Sequence, residues 1–320
     1  MRESIHTQTV QMGRPKKRHG QTHFERSSTV KQILILLLGL LLATTARAQI
    51  PMPIPNHTPV VAQQIAFSCG DAGTEKCLDG SRPAALIQAS DGNFYGVAQV
   101  SEDGVSHPQG GTIFKLTPRG QFTRLFTFAP GTRGNFPDGD GPGASLVEGK
   151  DGFLYGTTFA GGAHHDGVVF KISKQGAFQV LDNFCSVAAC ADGSSPVGLI
   201  LGDDGNFYGA TRSGGSSAPP CAATGGCGTF FRVTTVGSLT TLHALNGATD
   251  GSQPSTLIQA SDGNFYGTDT GDNVGGNVFR LTSGGQFTIL HAFPLLQTPI
   301  SGLVQGANGN LYGIFTIDGT

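Results

Sequence analysis

One eleven-residue phrase occurs five times in this chain, and it restricts the possible folds more than any other feature. The copies are Leu86–Gly96 (LIQASDGNFYG), Leu146–Gly156 (LVEGKDGFLYG), Leu199–Gly209 (LILGDDGNFYG), Leu257–Gly267 (LIQASDGNFYG) and Leu303–Gly313 (LVQGANGNLYG). The Tyr-Gly pairs begin at 95, 155, 208, 266 and 312, so the spacings are 60, 53, 58 and 46. All five tyrosines of the chain, Tyr95, Tyr155, Tyr208, Tyr266 and Tyr312, occupy this one position, each followed by Gly96, Gly156, Gly209, Gly267 or Gly313. Self-similarity at such a period means a fold assembled from like units, each burying its apolar faces against its neighbours.

Each of the first four copies leads into a second shared half: Gly111–Phe128, Gly167–Phe184, Gly228–Leu245 and Gly276–Phe293. Period-2 alternation and turn residues divide a repeat into four strands. Strand A is the Leu-Ile-Gln run. Asp91-Gly92 makes a tight turn, because glycine accepts positive φ. Strand B carries Phe94-Tyr95-Gly96, strand C is Ile113 to Leu116, and a turn at Arg119-Gly120 opens strand D, Phe122 to Phe128. The expected fold is all-β, a β-propeller of four-stranded blades, about five of them with the last incomplete. A β-solenoid ranks below it, because solenoid repeats usually run to about 20–30 residues. The expected repeats lie near 84–128, 144–184, 197–245, 256–293 and 300–320.

The ends of the array admit two readings. Pro59 to Phe67 has the pattern of strand D, so the tandem-repeat region is taken as 60–320. A five-blade ring with an incomplete closing blade is one reading. A piece of a longer array is the other, and it is favoured because the sequence ends inside a repeat.

Ahead of the repeats stands a leader. Ile33 to Ala43 (ILILLLGLLLA) is a short apolar run behind Lys31, and Ala46-Arg47-Ala48 is a small-x-small site before Gln49. Residues 1–48 therefore read as a secretory signal peptide with a long basic n-region, and 49–59 as a linker. The run falls short of the roughly 20 residues that span a bilayer, so no stable membrane span is expected once the signal is cleaved. The leader holds 8 Lys and Arg and 2 acids, which leaves 12 basic and 20 acidic residues in the body. An acidic body without a basic stripe argues against nucleic-acid binding. A secreted, cell-surface or periplasmic location follows.

The two ends of the blades differ in sequence. The A–B and C–D turns are short and uniform, whereas the B–C and D–A loops vary in length and content. Variable loops on a constant scaffold are where binding usually sits. The six cysteines lie in those loops as local pairs: Cys69 with Cys77, Cys185 with Cys190, and Cys221 with Cys227. An even count behind an export signal points to three loop disulfides. Metal thiolates are the weaker alternative, since no Cys-x-x-Cys spacing occurs.

Motifs with chemical content are few. Gly139–Ala144 matches a dinucleotide pattern, but a strand follows it where a helix is needed. Asp138–Gly141 resembles part of a calcium loop, yet Phe136 and Val147 stand where ligands would be required; calcium is the weaker alternative to a polar turn, and no cofactor is expected. Asp79-Gly80-Ser81, Asp192-Gly193-Ser194 and Asp250-Gly251-Ser252 recur before strand A and read as turns in which Asp caps its own backbone. No nucleophile elbow, metalloprotease helix or P-loop occurs, so no catalytic residue is assigned. The loop face offers Asp140, His164, Asp166, Arg212 and Asp272 as weak candidates.

The phrase Asp-Gly-Asn-Phe-Tyr-Gly at Asp91–Gly96, Asp204–Gly209 and Asp262–Gly267, with Val278–Thr282 (VFRLT) in the second half, resembles the bacterial GloVer tandem-repeat proteins over most of residues 60–320. The resemblance implies a secreted or surface-anchored protein, often with a C-terminal sorting signal, and brings no particular activity with it. No such tail is present in this sequence, which again points to a missing C-terminus. Three functional classes stay open. The first is a binding or adhesion module whose loop face takes an extracellular glycan or cell-surface component. The second is a polysaccharide-active propeller enzyme, sialidase- or lyase-like. The third is a purely structural envelope protein.

Overall fold

The computed structural model of the chain describes residues 81–99, 110–128, 135–271, 275–294, 297–299 and 302–317. The leader, the linker, the strand expected at Pro59–Phe67, the Cys69 and Cys77 pair, and Asp272 lie outside the described residues. All described residues fall in one of two compact units, the one that contains Ile65–Thr320.

The described chain is all-β. Four consecutive sheets each have four antiparallel strands in sequential order. Blade 1 is β1 (Ser81–Gln88), β2 (Phe94–Gln99), β3 (Gly111–Leu116) and β4 (Phe122–Phe128). Blade 2 is β5 (Val147–Glu148), β6 (Leu154–Thr158), β7 (Val168–Ile172) and β8 (Phe178–Asn183). Blade 3 is β9 (Ser194–Leu201), β10 (Phe207–Ser213), β11 (Thr229–Val233) and β12 (Leu239–Ala244). Blade 4 is β13 (Ile258–Gln259), β14 (Phe265–Asp269), β15 (Asn277–Leu281) and β16 (Phe287–Ala292). The fifth repeat contributes β17 (Gln297–Pro299), β18 (Val304–Gln305), β19 (Leu311–Tyr312) and β20 (Phe315–Ile317), in which β17 pairs with β20 and β18 with β19. These are the meander blades of a β-propeller. No sheet closes on itself into a barrel among the described residues.

Local chemistry explains why the same unit recurs. Asp91 accepts the backbone N–H of Asn93 at 3.1 Å, and its other oxygen accepts the Tyr95 hydroxyl at 2.8 Å. Asp151 with Tyr155, Asp204 with Tyr208 and Asp262 with Tyr266 repeat the hydroxyl bond at 2.7 to 2.8 Å. In the fifth copy Asn308 donates to the Tyr312 oxygen at 2.8 Å. The glycine after each tyrosine has a steric cause. A Cβ on Gly156 would stand 2.5 Å from the Phe170 ring, which crosses strand B at that point. A β-bulge between strands C and D recurs at Ile113/Phe114, Val169/Phe170, Phe230/Phe231 and Val278/Phe279. The bulge strengthens the twist that stacking blades require.

The core lies between blades, in four clusters of like composition. Blade 1 supplies Ile87, Tyr95, Val97 and Ile113 to the first, and blade 2 answers with Leu146, Leu154, Phe170 and Ile172. Tyr155 of blade 2 stacks on Phe207 of blade 3, and Tyr208 of blade 3 on Phe265 of blade 4, with ring centroids 4.0 and 4.1 Å apart. Tyr266 and Ile258 of blade 4 pack with Leu303 and Leu311 of the fifth repeat. Large apolar faces buried pairwise hold such arrays together.

Candidate functional site

The two ends of the blades carry different work. At the A–B turns, blade 2, blade 4 and the fifth repeat latch to the blade before them through the last residue of strand A. Blade 3 has Leu201 there and is joined to blade 2 by Lys150 Nζ donating to the Asp203 carbonyl at 2.7 Å. Glu148 accepts the Ser90 N–H at 2.7 Å, Gln259 accepts the Asp203 N–H at 2.9 Å, and Gln305 accepts the Ser261 N–H at 2.9 Å. Lys174 closes the first latch with an ion pair to Glu148 at 2.6 Å. Burial opposes ionisation of Glu148, yet the hydrogen bonds from Lys174 and Ser90 outweigh it and hold the carboxyl below its ordinary range. This end is occupied by its own contacts.

At the opposite end the blades are clasped through backbone. The carbonyl of Gly110 accepts the N–H of Gly141, that of Asp166 the N–H of Ser195, and that of Cys227 the N–H of Gln253, each at 2.9 Å. Gly141, Ser195 and Gln253 all have φ between 50 and 67°. For Ser195 and Gln253 this left-handed geometry is strained, and strain of this kind gathers at binding and switch regions.

Beside these clasps runs a row of equivalent positions, the residue four after each tyrosine: Gln99, Phe159, Arg212 and Thr270. The residue before each also varies (Ala98, Thr158, Thr211 and Asp269), and the four themselves are an amide, an aromatic ring, a guanidinium and a hydroxyl. Phe159 is 45% exposed, and Arg212 and Thr270 are exposed as well. Gln99 and Phe159 flank one bend. The Gln99 amide nitrogen lies 3.3 Å from where a Cβ on Gly143 would be, and Phe159 lies 3.9 Å from that on Gly141. The Phe159 N–H donates to Gly141 O at 3.0 Å. Arg212 sits between the pairs Thr211↔Pro196 and Ser213↔Ser194, opposite the strained Ser195.

Beneath this surface lie buried carboxylates. Asp140 accepts the Gly110 N–H at 2.9 Å, and burial pushes its carboxyl up to about 6 although backbone donors from Gly110 and Gly141 pull the other way. Asp269 is 1% exposed and accepts two bonds from the Asn277 amide at 3.0 and 3.2 Å. Burial first, and then the neighbouring Asp250, drive Asp269 up to about 7, against the pull of the Asn277 donors. Blades 2 and 3 have Thr158 and Thr211 at this position, where Thr211 bonds Thr229 at 2.9 Å. Blade 4 has exchanged a threonine pair for a carboxylate–amide pair.

The residues singled out in sequence are distributed, not gathered. Asp140 is buried at the junction of blades 1 and 2. His164 is exposed in the loop between β6 and β7, with His165 at φ 68° beside it. Asp166 accepts the Ser194 hydroxyl at 2.6 Å and so joins blade 2 to blade 3. Arg212 stands in the exposed row. Cys185–Cys190 and Cys221–Cys227 form disulfides in the loops at this end. Asp166, Cys185 and Cys190 lie close enough to share a metal, but both sulfurs are taken by the disulfide. Asp192 and Asp250 cap differently from the turn expected in sequence. Each reaches back to the start of its own loop, Asp192 to the Ser186 N–H at 2.8 Å and Asp250 to the Asn246 N–H at 2.7 Å, because the loop folds back over the carboxylate. Asp250 also bonds His243 at 2.8 Å. Gln99, Phe159 and Thr270 were not singled out; the signal was present as unlike residues at one position of the repeat.

Comparison with known proteins places this geometry in a wider setting. The family model described as Gloeobacter/Verrucomicrobia repeat matches residues 66–219 and 188–320. No curated protein sequence matches the chain. Among solved structures, tricorn protease is similar at 10% identity over 73% of this chain and 22% of its own, with a TM-score of 0.43. A luciferin-regenerating enzyme is similar at 15% identity over 68% of this chain and 65% of its own, TM-score 0.42. A gluconolactonase from Xanthomonas campestris is similar at 13% identity over 76% of this chain and 78% of its own, TM-score 0.41. The chain thus spans about a fifth of the length of tricorn protease and about two thirds of the luciferin-regenerating enzyme.

Proposed function

The chain belongs to the Gloeobacter/Verrucomicrobia repeat family, and from that premise we propose that it is an exported binding module that takes an extracellular glycan on its loop face. The observation that carries this reading is the row Gln99, Phe159, Arg212 and Thr270. A frame that repeats its core and its A–B turns presents unlike side chains at one equivalent position, half-buried at Gln99 and exposed at Phe159, Arg212 and Thr270. Sugars offer apolar C–H faces and many hydroxyls. An exposed aromatic ring suits the first, and guanidinium and amide donors suit the second. The apolar run Ile33–Ala43 with its small-x-small site, together with the loop disulfides, supports export. Among the described residues no helix is long and apolar enough to cross a membrane.

An enzymatic reading would draw on the two carboxyls that titrate high, Asp140 and Asp269. Both are enclosed and committed to backbone or amide donors, so neither faces a space where a glycosidic oxygen could sit. Binding is therefore the better-supported function.

Affinity electrophoresis of the purified chain through gels containing soluble polysaccharides of different backbones tests it. Retardation in at least one gel, weakened about tenfold or more by Phe159→Ala with unchanged thermal melting, is expected; tenfold corresponds to about 1.4 kcal/mol. Retardation that survives Phe159→Ala and Arg212→Ala together would place the ligand elsewhere.

A further inference from the structure

The last strand of a blade carries one position that its own outgoing loop folds back to meet. In β12 of blade 3 it is His243, paired with Phe230, and in β16 of blade 4 it is His291, paired with Val278. In β8 of blade 2 the same register holds Asp182, paired with Val169. After blade 3 the loop returns Asp250, which accepts the Asn246 N–H through Oδ1 at 2.7 Å and meets the His243 imidazole through Oδ2 at 2.8 Å. After blade 2 the loop returns Asp192, whose Oδ2 accepts the Ser186 N–H at 2.8 Å and the Ser186 hydroxyl at 2.7 Å. That repeats the first bond of Asp250. The second bond has no counterpart, because an ionised carboxylate at Asp182 has no proton to give.

The oxygen left over is buried. Asp192 is 6% exposed, and among the described residues its Oδ1 has no hydrogen-bond partner. A buried anionic oxygen is costly to leave unpaired. Asp182 is half-buried, and its Oδ1 accepts the Asn183 N–H at 2.8 Å. Burial raises the Asp182 carboxyl above its ordinary range, the Asn183 N–H pulls it back, and the charge of Asp192 adds to the rise, so the two carboxylates act on one another. Among the described residues neither has an ion pair with a basic side chain.

We propose that Asp182 and Asp192 hold a hard divalent cation, of the calcium or magnesium kind, in the place that the His243 imidazole takes beside Asp250. Carboxylate oxygens are the ligands such cations prefer, and water completes their shell. The sulfurs of Cys185 and Cys190 in the same loop are bonded to each other, so the loop offers no thiolate to a soft metal. The cation fastens the 185–192 loop to β8, as the His243–Asp250 contact fastens the next loop to β12.

Equilibrium dialysis tests the proposal, on the purified, disulfide-intact chain stripped with a chelator and then given calcium chloride or magnesium chloride. Thermal melts run in parallel, with sodium chloride at equal ionic strength as the reference. The parent is expected to bind a single cation with a Kd of about 0.1–1 mM, the range of extracellular calcium modules, and to melt higher when it is bound. The salt that binds more tightly identifies the cation. Asp182→His places the blade 3 pair in blade 2. It should melt no lower than the stripped parent and bind about tenfold or more weakly, because affinity follows the charge of the ligands. Asp182→Asn, which keeps the shape of the side chain, repeats the test if the histidine variant melts early. A parent that binds neither cation up to about 10 mM would overturn the proposal and mean that the two carboxyls share a proton. Binding undiminished in the Asp182 variants would overturn it as well, since the cation would then sit elsewhere.

Discussion

Tyr155 lies against Phe207 across the junction of blades 2 and 3, with ring centroids 4.0 Å apart, while its hydroxyl donates to Asp151 at 2.7 Å. One side chain thus closes a turn within its own blade and fills the contact to the next. Tyr208 has the same double duty, donating to Asp204 at 2.8 Å and lying against Phe265. Phenylalanine would keep the stacking and lose the turn, and a small polar residue would keep neither. Burial, and then the hydrogen bond to Asp151, raise the Tyr155 hydroxyl above its ordinary range, so it stays a proton donor.

Replacing the tyrosine separates the two duties. Tyr155→Phe is expected to cost about 1–2 kcal/mol, the worth of a hydrogen bond to a charged acceptor. Tyr155→Ala is expected to cost about 3–5 kcal/mol, because it opens a cavity between blades. Urea unfolding followed by tyrosine fluorescence and far-ultraviolet dichroism would measure both. Equal losses would mean that the stacking contributes nothing beyond the turn.

The glycines of the motif are held for two different reasons, and substitution tells them apart. A Cβ on Gly209 would lie 2.5 Å from the Phe231 ring and 2.5 Å from the Gly198 carbonyl. Gly209→Ala must displace backbone and is expected to cost about 2–3 kcal/mol or more. Gly152 has φ of 80° and nothing within 4 Å of such a Cβ. There only the left-handed backbone opposes alanine, at about 1 kcal/mol. A thermal-melting comparison of the two variants that reverses this order would contradict the assignment.

Much of the fold was legible because turn chemistry and strand alternation are local. Asp91-Gly92 and the alternation around Phe94 place strands A and B where they are found. Junctions are another matter. Leu86–Gly96 and Leu257–Gly267 have the same eleven residues, yet Leu86 is 50% exposed and Leu257 is 3% exposed. Local sequence cannot record which face has a neighbour. The binding row was hidden for a related reason. Phe159 reads as one more apolar residue beyond a strand, and only its exposure in the fold shows that it faces outward. Asp192 and Asp250 were legible as caps but not in their direction, since the loop that folds back onto each has no fixed length.

The latch between blades 1 and 2 yields a graded prediction at Glu148. The next two latches already use glutamine at this position, Gln259 and Gln305, with the same accepted N–H. Glu148→Gln keeps that bond and loses only the partly exposed ion pair to Lys174, so a loss under about 1 kcal/mol is expected. Glu148→Ala leaves the Ser90 N–H and hydroxyl without their acceptor, and about 1–2 kcal/mol is expected. High salt should erase the difference between parent and Glu148→Gln, because screening acts on the ion pair alone. Urea midpoints at low and high salt would decide it.

Acid and base should affect this protein in an unusual order. Asp269 titrates near 7 in the fold against an ordinary 3.8, and Asp140 near 6. A carboxyl raised by folding binds its proton more tightly in the native state. Its contribution is full below about pH 4 and is lost as pH rises toward 7, at up to about 1.4 kcal/mol per pH unit for one group. Asp91 moves the other way. Burial resists its ionisation, but bonds from Asn93 and Tyr95 hold it at about 2, so its contribution is present above about pH 4 and is lost as pH falls through 2. The two trends place maximal stability on the acid side of neutrality, near pH 4 to 5, with a decline toward pH 8. Asp269→Asn removes the largest raised group, and its urea midpoint should vary less between pH 5 and 8 than that of the parent. A parent whose midpoint rises over that interval would mean that the Asp269 carboxyl is ionised in the folded protein, with a cation or a water path reaching it behind Gly251.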